Sequence, residues 1–393
     1  MCNPLLHIKC KAYCLLAKNK VINKLINNAN KSHSLMNILK PYLGVFSYPI
    51  LLALLSIGLT AMSAHSHNID LNHIGDELEA AGFKDDKLLQ SESKSTTKNS
   101  LNQSYTINFA TNIPEDKKAQ LYTWAKHARK ALRLVYGKLP VEDFVTIIKA
   151  SKGGKGAVPW GEVNRYSPPE VTLVVNLDSS LEALKADWTI YHEFSHLLIP
   201  YDAGDARWFS EGLASYYQNI TQARVGMFDE KTLWQKLYDG FERGNKQQNY
   251  AHQRLDYLSD HIGENRNYMR IYWSGALYWL KADIALRALA KKNAPPYSLD
   301  LALAQLQACC FDRYLSATEI AHKLDQLTES KIFTSLLSEF SASYAIPDYL
   351  TPLRSLGVEV INGQISINDQ AIYSTQRRAI FIGLSKLSSK NDR

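Results

Sequence analysis

Between Thr189 and Tyr217 the chain reads TIYHEFSHLLIPYDAGDARWFSEGLASYY, an apolar stretch that carries two histidines and two glutamates. An ionisable group that leaves water has to find a partner, so these residue types in this setting ask for an explanation. His192 and His196 are four apart, which on a helix puts both imidazoles on one face, one turn from each other. Two imidazoles so placed can converge on one metal ion. Glu193 is one residue round from His192, near enough to reach a water at that ion without binding the ion itself. This is the HExxH spacing, in which zinc lowers the pKa of a water and the glutamate takes its proton. A catalytic zinc needs three protein ligands and an open fourth position. Glu211, separated from His196 by residues 197–210, fits the third role, at the start of a second helix that follows a turn containing Pro200, Gly204 and Asp205. The alternative for Glu211 is a helix cap, because carboxylates favour the first turn.

With those residues in view, YHEFSH followed by WFSEGLASYY resembles the gluzincin metallopeptidases, and within them the aminopeptidase N and glycyl aminopeptidase families, whose glutamate ligand sits in a W-x-x-E-G-x-[AT]-x-Y segment. The resemblance implies His192, His196 and Glu211 as ligands of one zinc ion per chain, and Glu193 as the general base on a zinc-bound water. Thermolysin itself is a poorer match, since Ser215 stands where its aspartate would be. Further along, IYWSGALYWLKADIALR (Ile271 to Arg287) is similar to the Y-x-K-G helix of those families. That likeness implies Tyr272 as the phenol that supports the oxyanion, with Gly275 matching the glycine and Ser274 replacing the lysine. FSASYAIPDYLTPLRSLGV (Phe340 to Val358) is also similar to the end of the glycyl aminopeptidase helical region. The similarity spans roughly 180–358 and is specific at its three motifs. The chain departs from these families in its shorter spacer and in lacking a clear G-x-M-E-N motif. The nearest stretch, GAVPWGEVN (Gly156 to Asn164), offers Glu162 to a free amino terminus or, alternatively, as a solvated residue on an edge strand.

These groups need elements to hold them. YTINFAT (Tyr105 to Thr111), DFVTIIKA (Asp143 to Ala150) and VTLVVNL (Val171 to Leu177) have the alternation and β-branched content of strands. A helical pattern runs from Pro114 to about Tyr136, with Leu121, Trp124, Ala125, Ala128, Ala131 and Leu132 on one face. From Ser180 the pattern is helical, over 180–199, 207–223, 230–243, 266–291, 298–309 and 316–343, until Asn362-Gly363 marks a hairpin within Val358 to Ile367. Strands first and helices second predict an α+β fold: a small N-terminal mixed β-sheet part and a mainly helical part, as in a thermolysin-like gluzincin catalytic domain. VTLVVNL immediately precedes the histidine helix, where such folds carry the edge strand that pairs with extended substrate, so Val174 is a candidate contact; the alternative is an ordinary core strand.

The formal charge of +7 belongs to residues 1–41, which hold seven lysines and no acid; the remaining residues are neutral, 7 − 7 = 0. Nucleic-acid binding by the folded part therefore gains little support. Residues 42–64 are apolar and lead to Ala61, Ser63, Ala64 and Ser66, the order of an export signal, complete in itself from Met36. The predicted organisation is an extension or start-site error (1–35), a signal peptide or anchor (36–66), a polar linker (67–104), a β-rich subdomain (105–178), a zinc-binding helical subdomain (179–350), and a hairpin and tail (351–393). The expected protein is exported, periplasmic or secreted, and meets a membrane only through an uncleaved 42–64 segment. Its expected partner is a peptide or protein substrate. Adjacent Cys309 and Cys310 read as small apolar residues near a helix end rather than a redox pair. Two other readings share the motifs: an inactive gluzincin-like binding domain, and a zinc hydrolase of a non-peptide bond.

Overall fold

A computed structural model of the chain describes residues 106–383, apart from 166, 203–205, 290–296 and 372. The segments expected to be an extension, a signal or anchor, and a linker (1–104), together with the tail beyond 383, lie outside the described residues. Among the described residues no helix is long and apolar enough to cross a membrane.

The chain opens with strand β1 (Ile107–Phe109) and helix α1 (Glu115–Tyr136). Glu115 and Asp116 occupy the first turn of α1, where the helix dipole favours acids. Gly137 ends the helix at φ 78, a left-handed position that glycine takes without steric cost. The face that the sequence marks as apolar is the buried one, with Leu121, Trp124, Ala125, Ala128 and Leu132 against the core. Strands β2 (Val145–Ala150), β3 (Trp160–Asn164) and β4 (Glu170–Val175) complete a four-stranded sheet in the order β1-β2-β4-β3. β1, β2 and β4 run parallel, and β3 is antiparallel to β4, pairing Trp160 with Val174 and Glu162 with Thr172.

This order corrects the assignment of Val174. β4 is covered on both sides, by β2 and β3, and Val174 is buried at 7% exposure. The edge strand is β3, formed from the glycine-rich stretch and carrying Glu162. Val174 is therefore closed to an added strand, because its backbone partners are already taken.

The helical part begins with α2 (Leu181–Ala186) and α3 (Thr189–Ser195), followed by a 3-10 turn (His196–Leu198). The single helix expected over 180–199 is thus broken at Asp187, whose backbone is extended. Its carboxylate accepts from Thr189 N (2.9 Å) and Val158 N (3.1 Å), offering the chain a turn in place of a continued helix. The short strand β5 (Tyr201–Asp202) pairs with β6 (Tyr314–Leu315). Between them run α4 (Arg207–Arg224), α5 (Glu230–Lys246), the short α6 (Leu255–Asp260) and α7 (Ile262–Asn265), then α8 (Tyr268–Ala288) and α9 (Leu299–Cys310).

The run expected over 316–343 divides into α10 (Ala317–Thr328) and α11 (Ile332–Ser341). Asp325 causes the division by capturing the amides of Phe333 (2.9 Å) and Thr334 (3.0 Å). After α12 (Leu350–Ser355) come the hairpin strands β7 (Val358–Ile361) and β8 (Gln364–Ile367), with Asn362 and Gly363 both at positive φ, and then α13 (Ser374–Ile382). Cys310 is buried as an apolar residue would be, but its sulfur is joined to that of Cys309, whose Cα is 3.7 Å away.

α4 and α8 form the core of the helical part. A Cβ added to Gly212 would come within 2.2 Å of Gly275 Cα, and one on Gly275 within 1.9 Å of the Trp208 carbonyl. The two helix backbones are therefore in contact, which only glycine allows at both positions. Trp208, fully buried, stacks on Phe340 (6.2 Å between centroids) and meets Tyr278 edge-on (5.4 Å).

Candidate metal centre and catalytic groups

All seven residues of α3 are buried, so the histidine helix is a core element and its polar groups have no access to bulk water as partner. Phe194, on the side away from the donors, packs edge-on against Phe144 (5.1 Å). His196 belongs to the 3-10 turn, yet its N–H still donates to the His192 carbonyl, so the two imidazoles stay one turn apart on one side. Their rings meet edge to face at 5.0 Å.

The Gly212–Gly275 contact seats α4 so that Glu211 faces both histidines. Glu211 Oε2 lies 3.1 Å from His192 Nε2 and 3.7 Å from His196 Nε2. The three donor atoms fall within 4.8 Å of one another. Tetrahedral zinc with bonds near 2.1 Å spaces its ligand atoms by about 3.4 Å, which those two distances bracket. Glu211 is past the first turn of α4, so the capping alternative does not apply.

His192 Nδ1 donates to Gln218 Oε1 (2.8 Å), because an amide oxygen only accepts; with a metal bound, Nε2 would be the ligating nitrogen. Burial moves the His196 imidazole down to about 4, opposed by the Glu211 charge and aided by His192 and Arg165. Burial alone would raise Glu211, but the His196 charge and the His192 hydrogen bond outweigh it and hold the carboxyl at about 2. For His192 burial acts downward, and the Glu211 hydrogen bond and charge carry the net direction upward. The residues present therefore fit a zinc ion by donor type and spacing.

Glu193 is 8% exposed, and β3 passes directly over it: a Cβ on Gly161 would stand 2.5 Å from Glu193 Cγ. Burial pushes the Glu193 carboxyl up to about 8, with the nearby His192 pulling it down and Glu211 and Glu162 pushing it further up. Tyr272 lies parallel to the His192 ring, at 5.9 Å and 13°, and Tyr268 meets it edge-on. Burial, then the charges of Glu211 and Glu193, hold the Tyr272 phenol well above its ordinary value, so it remains a donor; its hydroxyl interacts with the Glu211 carboxylate. Glu162 is exposed on β3, on the strand face opposite Gly161.

The structure thus brings together His192, Glu193, His196, Glu211 and Tyr272, sets Glu162 at their margin, and leaves Val174 in the sheet. Sequence reasoning missed four contributors. Gln218 is seven residues past Glu211, two turns along the same face, and that spacing was the available signal. Gly161 lies beside Glu162 in a glycine-rich stretch, where only the edge-strand alternative for Glu162 pointed to it. Arg165, just beyond β3, donates to the His196 carbonyl. Trp188 is 50% exposed and sets its ring edge-on to His192 at 5.4 Å, one turn before it on the same face.

Part of the chain is similar to known proteins. Residues 201–278, which hold Glu211 and Tyr272, match the M61 glycyl aminopeptidase family. No curated protein matches the chain significantly. Among solved structures, similarity is found to an aminopeptidase N family protein from Idiomarina loihiensis, at 14% identity over 65% of this chain and 47% of that one, with a TM-score of 0.49. An M1 zinc metallopeptidase from Deinococcus radiodurans is similar at 12% identity over 63% and 50% of the two chains, with a TM-score of 0.37. The chain spans about half the length of these structures. Over residues 201–278 the chain resembles glycyl aminopeptidases.

Proposed function

We propose that this chain is an exported, zinc-dependent peptidase in which His192, His196 and Glu211 hold one ion and Glu193 is the general base. The observation that carries this reading is the meeting of three donors from α3, its following turn and α4 around one point, beside a second buried carboxylate with no lysine or arginine ion pair among the described residues. Bound zinc would supply Lewis acidity to the scissile carbonyl and to the attacking water. Glu193 would take a proton from that water and return it to the departing amine, from a position fixed by α3 and roofed by Gly161. Tyr272, kept protonated, would donate to the developing oxyanion after leaving Glu211. Gln218 would fix the His192 tautomer, and Trp188 would form one wall of the cleft.

Glu162 favours a second reading within the first, trimming from the amino end. Glu162, exposed on the edge strand β3 and near enough to push the Glu193 carboxyl upward, would reach a substrate ammonium group only around the strand edge, because its side chain leaves on the face opposite Gly161. Export rests on the apolar residues 42–64 and the small residues that follow them. An inactive binding domain is disfavoured because both Glu193 and Tyr272 stand at the donors, positions that a role in binding alone does not require.

The test is incubation of the purified protein with a mixed peptide library, with and without a chelator, and sequencing of the products. Loss of amino-terminal residues selects the aminopeptidase, internal cuts an endopeptidase. Absence of chelator-sensitive cleavage hands the case to the binding domain or to hydrolysis of another bond.

A further inference from the structure

Behind the donor helix lies a second concavity of about 470 Å³, between the C-terminal half of α1 and the end of α2. Lys126, His127, Lys130 and Arg133 of α1 face Lys185 of α2 across it, Leu134 contributes to the wall, and no carboxylate lines it. Lys126, Lys130 and Arg133 follow one another at helical spacing, which sets their charges along one face. Three lysines elsewhere in the described residues take acidic partners: Lys118 meets Glu115 at 2.6 Å, Lys281 meets Glu339 at 3.4 Å, and Lys246 meets Glu242 at 3.8 Å. Lys126, Lys130 and Lys185 form no such pair among the described residues.

Like charges gathered around a hollow repel one another, and a dissolved counter-ion relieves this only in part. The positive field reaches the cavity wall, since after burial it is Lys185 and Lys130 that hold the His127 imidazole below its ordinary range. Two features set this hollow apart from a solvated lysine face. The cations come from two elements and surround a volume, and the lysine stems with Leu134 give that volume apolar walls. The volume also exceeds what a bare inorganic ion would fill.

We propose that this cavity binds a phosphoryl group carried on an organic body, either a soluble phosphomonoester or a phospholipid headgroup. Two or more negative charges match the converging cations, and the carrier fills the space beside Leu134. The site backs directly onto the donor helix. His127 meets Tyr191 edge-on (6.4 Å), Tyr191 donates to the Lys185 carbonyl (2.9 Å), and Tyr191 immediately precedes His192.

The experiment titrates the full chain with glycerol 3-phosphate, with glycerol as control, by calorimetry. In parallel it measures sedimentation with phosphatidic acid vesicles against phosphatidylcholine vesicles. The comparison protein is Lys126→Gln/Lys130→Gln/Lys185→Gln, which keeps every lysine of residues 1–41, and Lys130→Glu alone serves as a second variant. Binding of either anionic probe that weakens roughly tenfold or more in both variants supports the site, given the usual strength of hydrogen bonds to charged groups; which probe binds identifies the source. Equal binding by the variants and the parent, or no binding of either probe by the parent, overturns it. The variants' unfolding midpoints without anion should equal or exceed the parent's, since repulsion is removed and no core residue is touched.

Discussion

The two ends of α4 both bury polar groups, and they do so on opposite terms. At its C-terminal end, Arg224 forks onto Asp300 (2.9 and 3.1 Å), and Tyr217 donates to the same carboxylate (2.8 Å). One turn away Tyr216 donates to Asp283 (3.1 Å), which Arg287 also holds (2.8 Å). Two guanidiniums face two carboxylates, so the cluster is neutral and closed. At the other end, Glu211 and Glu193 have no lysine or arginine ion pair among the described residues, and their neighbours are imidazoles. That end is short of positive charge. A buried network that balances itself is built for stability, and one that needs a cation to balance is built for chemistry.

Substitutions at the two ends should therefore fail differently. Glu193→Gln should cut hydrolysis by about 10²–10⁴-fold with zinc content and unfolding midpoint preserved, as expected for a lost general base; a fully active variant would remove Glu193 from the mechanism. Asp300→Ala should strand Arg224 in the interior and destabilise the fold by about 3–5 kcal/mol in denaturant unfolding, with kcat per folded molecule little changed. A stable Asp300→Ala protein would mean that the far cluster is not the structural half of the comparison. Tyr272→Phe should lower kcat by about 10²–10³-fold and leave KM close to its starting value; an unchanged rate would reduce Tyr272 to a packing residue against His192. Gly275→Ala should cost about 1–3 kcal/mol through overpacking and, by pushing α8 from α4, should weaken zinc retention in a chelator competition. Retention equal to the parent's would uncouple the glycine contact from the donors.

How much of this the sequence disclosed depends on the range of the forces involved. His192, Glu193 and His196 are legible because helical spacing alone fixes their relation, and Glu211 because the aromatic residues around it declare a second buried helix. The broad α+β division follows from alternation before Ser180 and helical periodicity after it. β3 was legible only in part: its residues lack a β-branched run, so the edge-strand alternative for Glu162 was its one mark, and Gly161 is required by the approach of Glu193 from a helix about 30 residues later. Val174 was misplaced for the same reason, since a strand becomes central only when its neighbours are known. The helix break at Asp187 turns on a hydrogen bond to Val158 across the sheet, a tertiary partner that no local pattern contains. Trp188 gave no sign that it would be left half in water, because exposure is set by everything that packs around it.

The carbonyl of Ile380 accepts from Arg224, at 2.8 Å and across 156 residues of chain. The helix that presents Glu211 thus acquires this contact only after residue 380 has left the ribosome. A nascent chain can assemble the donor cluster earlier, but its scaffold stays unlatched until synthesis has passed that point, and truncation before Ile380 would release a protein with its metal-gathering end formed and its anchoring end undone.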